Sequence, residues 1–160
     1  MLIIAIPYNY KTPSIKEHLN TMIQHTLSII KPEAVKSKSV GKVIAYLENA
    51  GLKILAMKLA HITKSQAQVF YAEHSEKGFF EGLINNITSG PVILMVLEGE
   101  DAIALNRKVM GATDPKNADK GTIRGDLGTS LDANFVHGSD SPISAEREIS
   151  LFFSKTDFLF

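Results

Sequence analysis

Residues 89–97, Ser89-Gly90-Pro91-Val92-Ile93-Leu94-Met95-Val96-Leu97, set the architecture: a turn signal followed by six consecutive apolar residues. A run that short, bounded by Gly and Pro, reads as a strand buried on both faces, so it belongs in the middle of a covered sheet. Immediately upstream, Phe79, Phe80, Leu83, Ile84 and Ile87 mark an amphipathic helix that closes at Ser89-Gly90-Pro91. Before that, Thr63 and Gln66 form a capping box opening a helix whose face continues through Ala67, Phe70 and Tyr71. Leu52–Leu59 has strand character. Val40, Val43, Ile44 and Leu47 make one helical face between Ser39 and Ala50, which Gly51 ends. Thr26–Ile30, bounded by Lys31-Pro32, reads as a buried strand. Downstream, Asp101–Met110 is helical, and 111–133 is rich in Gly, Asp, Asn and Pro and reads as one long loop. Asn134–Val136 is a short strand, and Ser141-Pro142 opens a last helix with Ala145, Ile149 and Phe152 inward. In the tail, Phe158 and Phe160 are placed to dock on a neighbour. The order β-α-β-(α-α)-β-α-loop-β-α predicts an α/β (α+β) sandwich with a four-stranded, mainly antiparallel sheet covered by helices. That is too few strands for a doubly wound dinucleotide fold.

Composition bounds the function. At 160 residues the chain suits one domain, which buries roughly 70% of its unfolded surface without staples. Lys plus Arg number 17 and Asp plus Glu 17, so no general electrostatic grip on nucleic acid or anionic membrane is implied. The absence of cysteine excludes disulfides, thiolate catalysis and zinc–thiolate sites. No apolar run approaches the roughly 20 residues needed to span a bilayer. Residues 1–21 carry a short apolar run, Leu2–Pro7, without the charge, length or cleavage site of a secretory signal. They read as an appended N-terminal extension, with a strand and turn integral to the fold as the alternative. The domain is then expected over 22–154, with a short tail at 155–160 and a cytoplasmic setting.

Neither G-x-x-x-x-G-K-[ST], G-x-G-x-x-G nor H-E-x-x-H occurs, and His18, His25, His61, His74 and His137 lack metal-ligand spacing. Cations do recur beside turn signals: Lys31, Arg107 and Arg124. Converging, they would neutralise much of a polyphosphate; singly, each reads as a solvated charge. His137 stands out in Asn134-Phe135-Val136-His137-Gly138-Ser139-Asp140-Ser141, between a strand end and a helix N-cap. Gly138 would give close backbone access, the helix N-terminus favours an anion, and a neutral imidazole is a nucleophile without a separate base. On spacing alone, a lone histidine beside a turn is more often structural.

Taken together, TLSIIKPEAV (26–35), FYAEHSEKGFF (70–80), SGPVILMVLEG (89–99), NRKVMGATDP (106–115), GTIRGD (121–126) and NFVHGSDS (134–141) resemble the nucleoside diphosphate kinases. The resemblance runs from Thr26 to about Phe153 and implies a ferredoxin-like α/β sandwich. It implies a kinase that moves the γ-phosphoryl group from a nucleoside triphosphate, mainly ATP, to a nucleoside diphosphate. The scheme is ping-pong, through a phosphohistidine at His137. Lys31, Arg107, Thr113, Arg124 and Asn134 would hold phosphates and sugar, and Phe79 would stack on the base. Tyr71, Ser139 and Glu148 would support the histidine, the carboxylate through its other ring nitrogen. Mg²⁺ would arrive on the phosphates rather than on protein ligands, and the protein would assemble as a homotetramer or homohexamer.

Glu33 stands where an aspartate is usual and Gly78 where a proline is common, neither expected to touch the chemistry. Arg124→Ala is expected to weaken nucleotide affinity far more than it alters the fold. The rival is a non-catalytic nucleotide-binding regulator on the same scaffold, which would have lost the histidine or a phosphate-gripping cation; none is lost. An RNA-binding module would want an RNP-type aromatic pattern and a basic excess, and the chain has neither.

Overall fold

The computed structural model describes residues 22–158. The readings of residues 1–21 as an extension and of Phe160 as a docking residue lie outside them. In chain order the elements are β1 (Ile23–Ile30), α1 (Pro32–Lys36), α2 (Val40–Asn49), β2 (Lys53–Ala60), α3 (Lys64–Phe70) and a 3-10 turn (Ala72–His74). Then come α4 (Phe80–Ile87), β3 (Val92–Glu100), α5 (Ala102–Met110), a second 3-10 turn (Pro115–Asn117), α6 (Ile123–Leu127), β4 (Val136–Gly138), α7 (Pro142–Phe152) and a third 3-10 turn (Lys155–Asp157).

The sheet order is β2-β3-β1-β4 and each pairing is antiparallel. β1 and β2 therefore run parallel with β3 slotted between them, and β3 and β4 run parallel around β1. This interleaving of two βαβ units is the ferredoxin-like arrangement. It places β1 and β3 inside the sheet, covered on both faces, which is why both are apolar along most of their length. On one face Leu27, Ile29, Leu94 and Val96 pack with Ala67 and Phe70 of α3, Ile84 and Ile87 of α4, and Phe152 of α7. On the other, Ile30, Met95 and Leu97 meet Val43 and Leu47 of α2, Ala102 and Met110 of α5, and Ile123 of α6. Phe158 packs on this chain's own core beside Phe153, ring centroids 6.3 Å apart.

Two local expectations are corrected. β4 spans 136–138 rather than 134–136, because Phe135 takes a left-handed φ of 73° that breaks the extended chain just before it. His137 therefore lies within the strand, not after its end. The segment 111–133 is not one loop: Asp114 caps the turn at Pro115–Asn117, and the Thr122 hydroxyl accepts the Gly125 N–H to start α6. Five helical residues offer too little periodicity to be seen in sequence.

Candidate active site

His137 is aimed by register. It sits opposite Ile29 on β1, so its side chain shares the face that α3, α4 and α7 cover. There its Nε2 lies 3.0 Å from Oε2 of Glu148, one turn before the end of α7. Ser139 Oγ donates to the same Oε2 at 2.7 Å, and the Ser139 hydroxyl is fixed in turn by the Leu27 N–H at 3.2 Å. The Phe70 ring stands edge-on to the imidazole, centroids 4.8 Å apart. Glu148 is only 4% exposed, so a carboxylate in that position needs the donors it has. It selects the tautomer with the proton on Nε2, and Nδ1 keeps a free lone pair in a ring that lines the pocket.

Gly138, expected to open access beside the ring, lines the same pocket and also shapes the packing behind it. A Cβ there would come within 2.4 Å of Asn106 Nδ2 and 2.6 Å of Met110 Sδ. The missing side chain lets α5 lie against β4, which brings Arg107, on α5, to the pocket.

The expected residues Lys31, Tyr71, Phe79, Arg107, Thr113, Arg124, Asn134, His137 and Glu148 all line one pocket, while Ser139 sits behind its wall. Lys31, at the end of β1, donates from Nζ to Asn134 Oδ1 at 2.7 Å. The Asn134 amide is fixed by donating to Thr113 O at 3.3 Å and Leu131 O at 3.1 Å. Burial pulls the Lys31 ammonium down to about 8, with Glu33 and Asp132 opposing and Arg124 adding to the fall. Arg124 is drawn down to about 10 by burial and by Arg107. Cations that destabilise one another in this way are arranged for a polyanion. Burial raises the Tyr71 phenol, and Glu148 and Glu33 add to the rise.

One expectation needs revision. Arg124 is buried, donating from Nη1 to Gly111 O at 3.0 Å and from Nη2 to Val136 O at 2.9 Å. Its loss would disturb the fold as well as the pocket wall. Glu33 does not line the pocket, and its Oε1 accepts the Phe135 N–H at 3.1 Å, two residues from His137. Phe79, by contrast, is 55% exposed at the mouth, with the His74 ring 5.9 Å away and Lys77 Nζ 5.6 Å from its centroid. Phe70, Glu73, His74 and Asp140 line the pocket too, without a sequence signal that singles them out. Phe70, Glu73 and His74 fall in the 70–80 block, but Phe70 ends α3 and the other two lie in the 3-10 turn after it, and helical periodicity does not show that this turn borders a cleft.

A buried carboxylate holding a histidine beside three convergent cations and an open aromatic suits phosphoryl transfer to or from nucleotides. Comparison with known proteins agrees. The family model for nucleoside diphosphate kinase matches residues 24–158. The nucleoside diphosphate kinase of Rickettsia bellii is 56% identical over 137 residues, covering 86% of this chain and 98% of the relative, and that of Rickettsia prowazekii matches equally. Among solved structures, the Halobacterium salinarum nucleoside diphosphate kinase in complex with CDP superposes with a TM-score of 0.84 at 43% identity, covering 87% of this chain and 93% of that one. The Aquifex aeolicus enzyme gives 0.84 at 39% identity, covering 86% of this chain and 100% of that one.

Proposed function

The chain belongs to the nucleoside diphosphate kinase family and is an enzyme of that kind; from this premise we propose that its phosphoryl transfer runs through Nδ1 of His137. The carrying observation is the 3.0 Å contact between His137 Nε2 and Glu148 Oε2, which leaves Nδ1 as the nucleophile on the pocket side. Its lone pair attacks the γ-phosphorus of a nucleoside triphosphate, the bond to the β-phosphate oxygen breaks, and the diphosphate leaves. The imidazole becomes cationic at that moment, and the fixed charge of Glu148 balances it without rearrangement. A second diphosphate then takes the group by the reverse of the same step. Donor and acceptor present the same diphosphate, so one set of cations serves both.

Arg107, Arg124 and Thr113 would grip the β-phosphate and its neighbours, with Lys31 and Asn134 at the ribose hydroxyls and neighbouring phosphate. The CDP bound by the Halobacterium relative supports a nucleoside diphosphate in this cleft. Phe79, exposed at the mouth, would stack on the base, and stacking accepts any base, so specificity would be broad with ATP the main donor. The nucleotide would enter as its Mg²⁺ complex. The donor set suits this: Lys31, Arg107 and Arg124 converge here, while the pocket carboxylates Glu73, Asp140 and Glu148 are not grouped, among the described residues, so as to hold a metal themselves. The ion would neutralise phosphate charge and the cations would complete the neutralisation. Assembly as a tetramer or hexamer is supported by Met57 and Leu59, exposed on the edge strand β2. No helix among the described residues is long and apolar enough to cross a membrane, and a cytoplasmic setting goes with the substrates.

The test is a phosphoenzyme assay: protein, Mg²⁺ and γ-labelled ATP without acceptor, then a chase with GDP. The expected label is acid-labile, alkali-stable, discharged to GTP and absent from His137→Ala, which still binds nucleotide. Label retained by His137→Ala would overturn the assignment.

A further inference from the structure

We propose, resting on the reading of His137 as phosphoryl carrier, that Glu33 is a positioning residue for the transfer: its carboxylate holds the left-handed turn that aims His137 and sets the charge facing Lys31. The turn is Phe135, a non-glycine residue at φ 73°. Such a conformation is strained and persists only where neighbours over-determine it. Both backbone polar groups of Phe135 are taken by the segment that ends β1 and opens α1. Its N–H donates to Glu33 Oε1 at 3.1 Å, and its carbonyl accepts the Lys31 N–H at 2.9 Å. The ring is buried as well.

What this turn controls is functional on both sides. One residue before it, Asn134 holds the Lys31 ammonium. One residue after it, the Val136 carbonyl accepts from Arg124, and His137 follows. A carboxylate more than a hundred residues away in sequence thus sets the relative places of a lysine, an arginine and the histidine. Its other oxygen, Oε2, is buried without a hydrogen-bond partner. A neutral amide there would bury an unpaired NH2 instead, so hydrogen bonding alone does not favour the carboxylate over the amide. Charge explains its presence. The charges that bear on Lys31 are Glu33 on α1, Arg124 on α6 and Asp132 in the loop before β4. His137, Tyr71 and Glu148 line the same pocket. Against burial and Arg124, Glu33 is the main group favouring the charged lysine.

Three variants separate the two roles. Glu33→Gln keeps an acceptor oxygen for the Phe135 N–H but removes the charge. It should form the phosphoenzyme at near the wild-type rate at about pH 7, with the alkaline rise in nucleotide KM moved down by roughly half a pH unit or more. Glu33→Ala releases the turn and should slow phosphoenzyme formation at least about tenfold with weaker effect on nucleotide affinity. Glu33→Asp restores the charge and should return the KM profile toward that of the wild type. A Glu33→Gln profile that superimposes on the wild type overturns the proposal. So does a folded Glu33→Ala that is labelled at the wild-type rate; if that variant does not fold, the Glu33→Gln profile decides. Wild-type label that survives in His137→Ala instead removes the underlying reading, a distinct failure that no Glu33 variant would produce.

Discussion

Glu148 accepts two hydrogen bonds on one oxygen, from His137 Nε2–H at 3.0 Å and Ser139 Oγ–H at 2.7 Å. An amide in its place keeps an acceptor but cannot balance the imidazolium that forms during transfer. Glu148→Gln should therefore slow phosphoenzyme formation by about 10–100-fold while nucleotide affinity, read by titration, stays within about twofold. An unchanged rate would mean the carboxylate only holds the ring in place. Lys31 supplies the pH dependence. Its ammonium titrates at about 8 in the folded chain against an ordinary 10.5, so between those values the unfolded chain holds a proton the folded chain has lost. This group's contribution to stability accordingly rises with pH across that window, while its grip on phosphate declines. Nucleotide KM should climb from about pH 7 to about pH 9.5 as the fold holds, and Lys31→Met should give a high KM that is flat over the same range. Initial rates across that range, with thermal unfolding at each pH, check both signs.

At the scale of elements, the site depends on α6, a five-residue helix that carries Arg124 into the pocket wall. A Cβ on Gly125 would lie 2.0 Å from the Asp119 carbonyl oxygen and 2.7 Å from its carbon. The obstacle is backbone, which cannot swing aside as a side chain can. Gly125→Ala should cost roughly 1–3 kcal/mol of stability and raise nucleotide KM severalfold, as α6 shifts and Arg124 loses Gly111 and Val136. A urea midpoint and a KM that both stay at wild-type values would count against this account. Elements of this kind mark the limit of what could be read in advance. The capping box at Thr63, the N-cap at Ser141 and the apolar run at 92–97 are local signals, and each produced the element it announced. α6 was missed because its cap is local but its apolar pattern is one turn long. β4 was displaced by two residues because Phe135 is turned left-handed by Lys31 and Glu33, partners from the opposite end of the domain. The pocket residues were legible through the motifs that carry them, yet Arg124's backbone contacts and Glu33's role exist only once the chain is folded.

For the molecule as a whole, the sheet order leaves β2 as an edge while His137 lies on β4, the opposite edge. Chemistry and assembly can therefore be separated. On β2, Met57 and Leu59 are paired with Met95 and Ile93 of β3 and so belong to the α2–α5 face, but they are 53% and 67% exposed. An edge strand offers unpaired N–H and C=O groups, and a second copy related by a two-fold axis can supply both the missing pairing and apolar cover. If this edge joins the subunits, replacing both residues with glutamate puts like charges face to face across the axis. Met57→Glu/Leu59→Glu should sediment as a smaller species than the wild type at equal concentration. It should lose roughly 5 °C or more in Tm through lost mass action, yet still form phosphohistidine at ordinary temperature, because no β2 residue lines the pocket. A wild-type sedimentation coefficient in the double variant would place the subunit contact elsewhere. Loss of phosphorylation in a folded, dissociated species would show instead that the pocket depends on its neighbours across that edge.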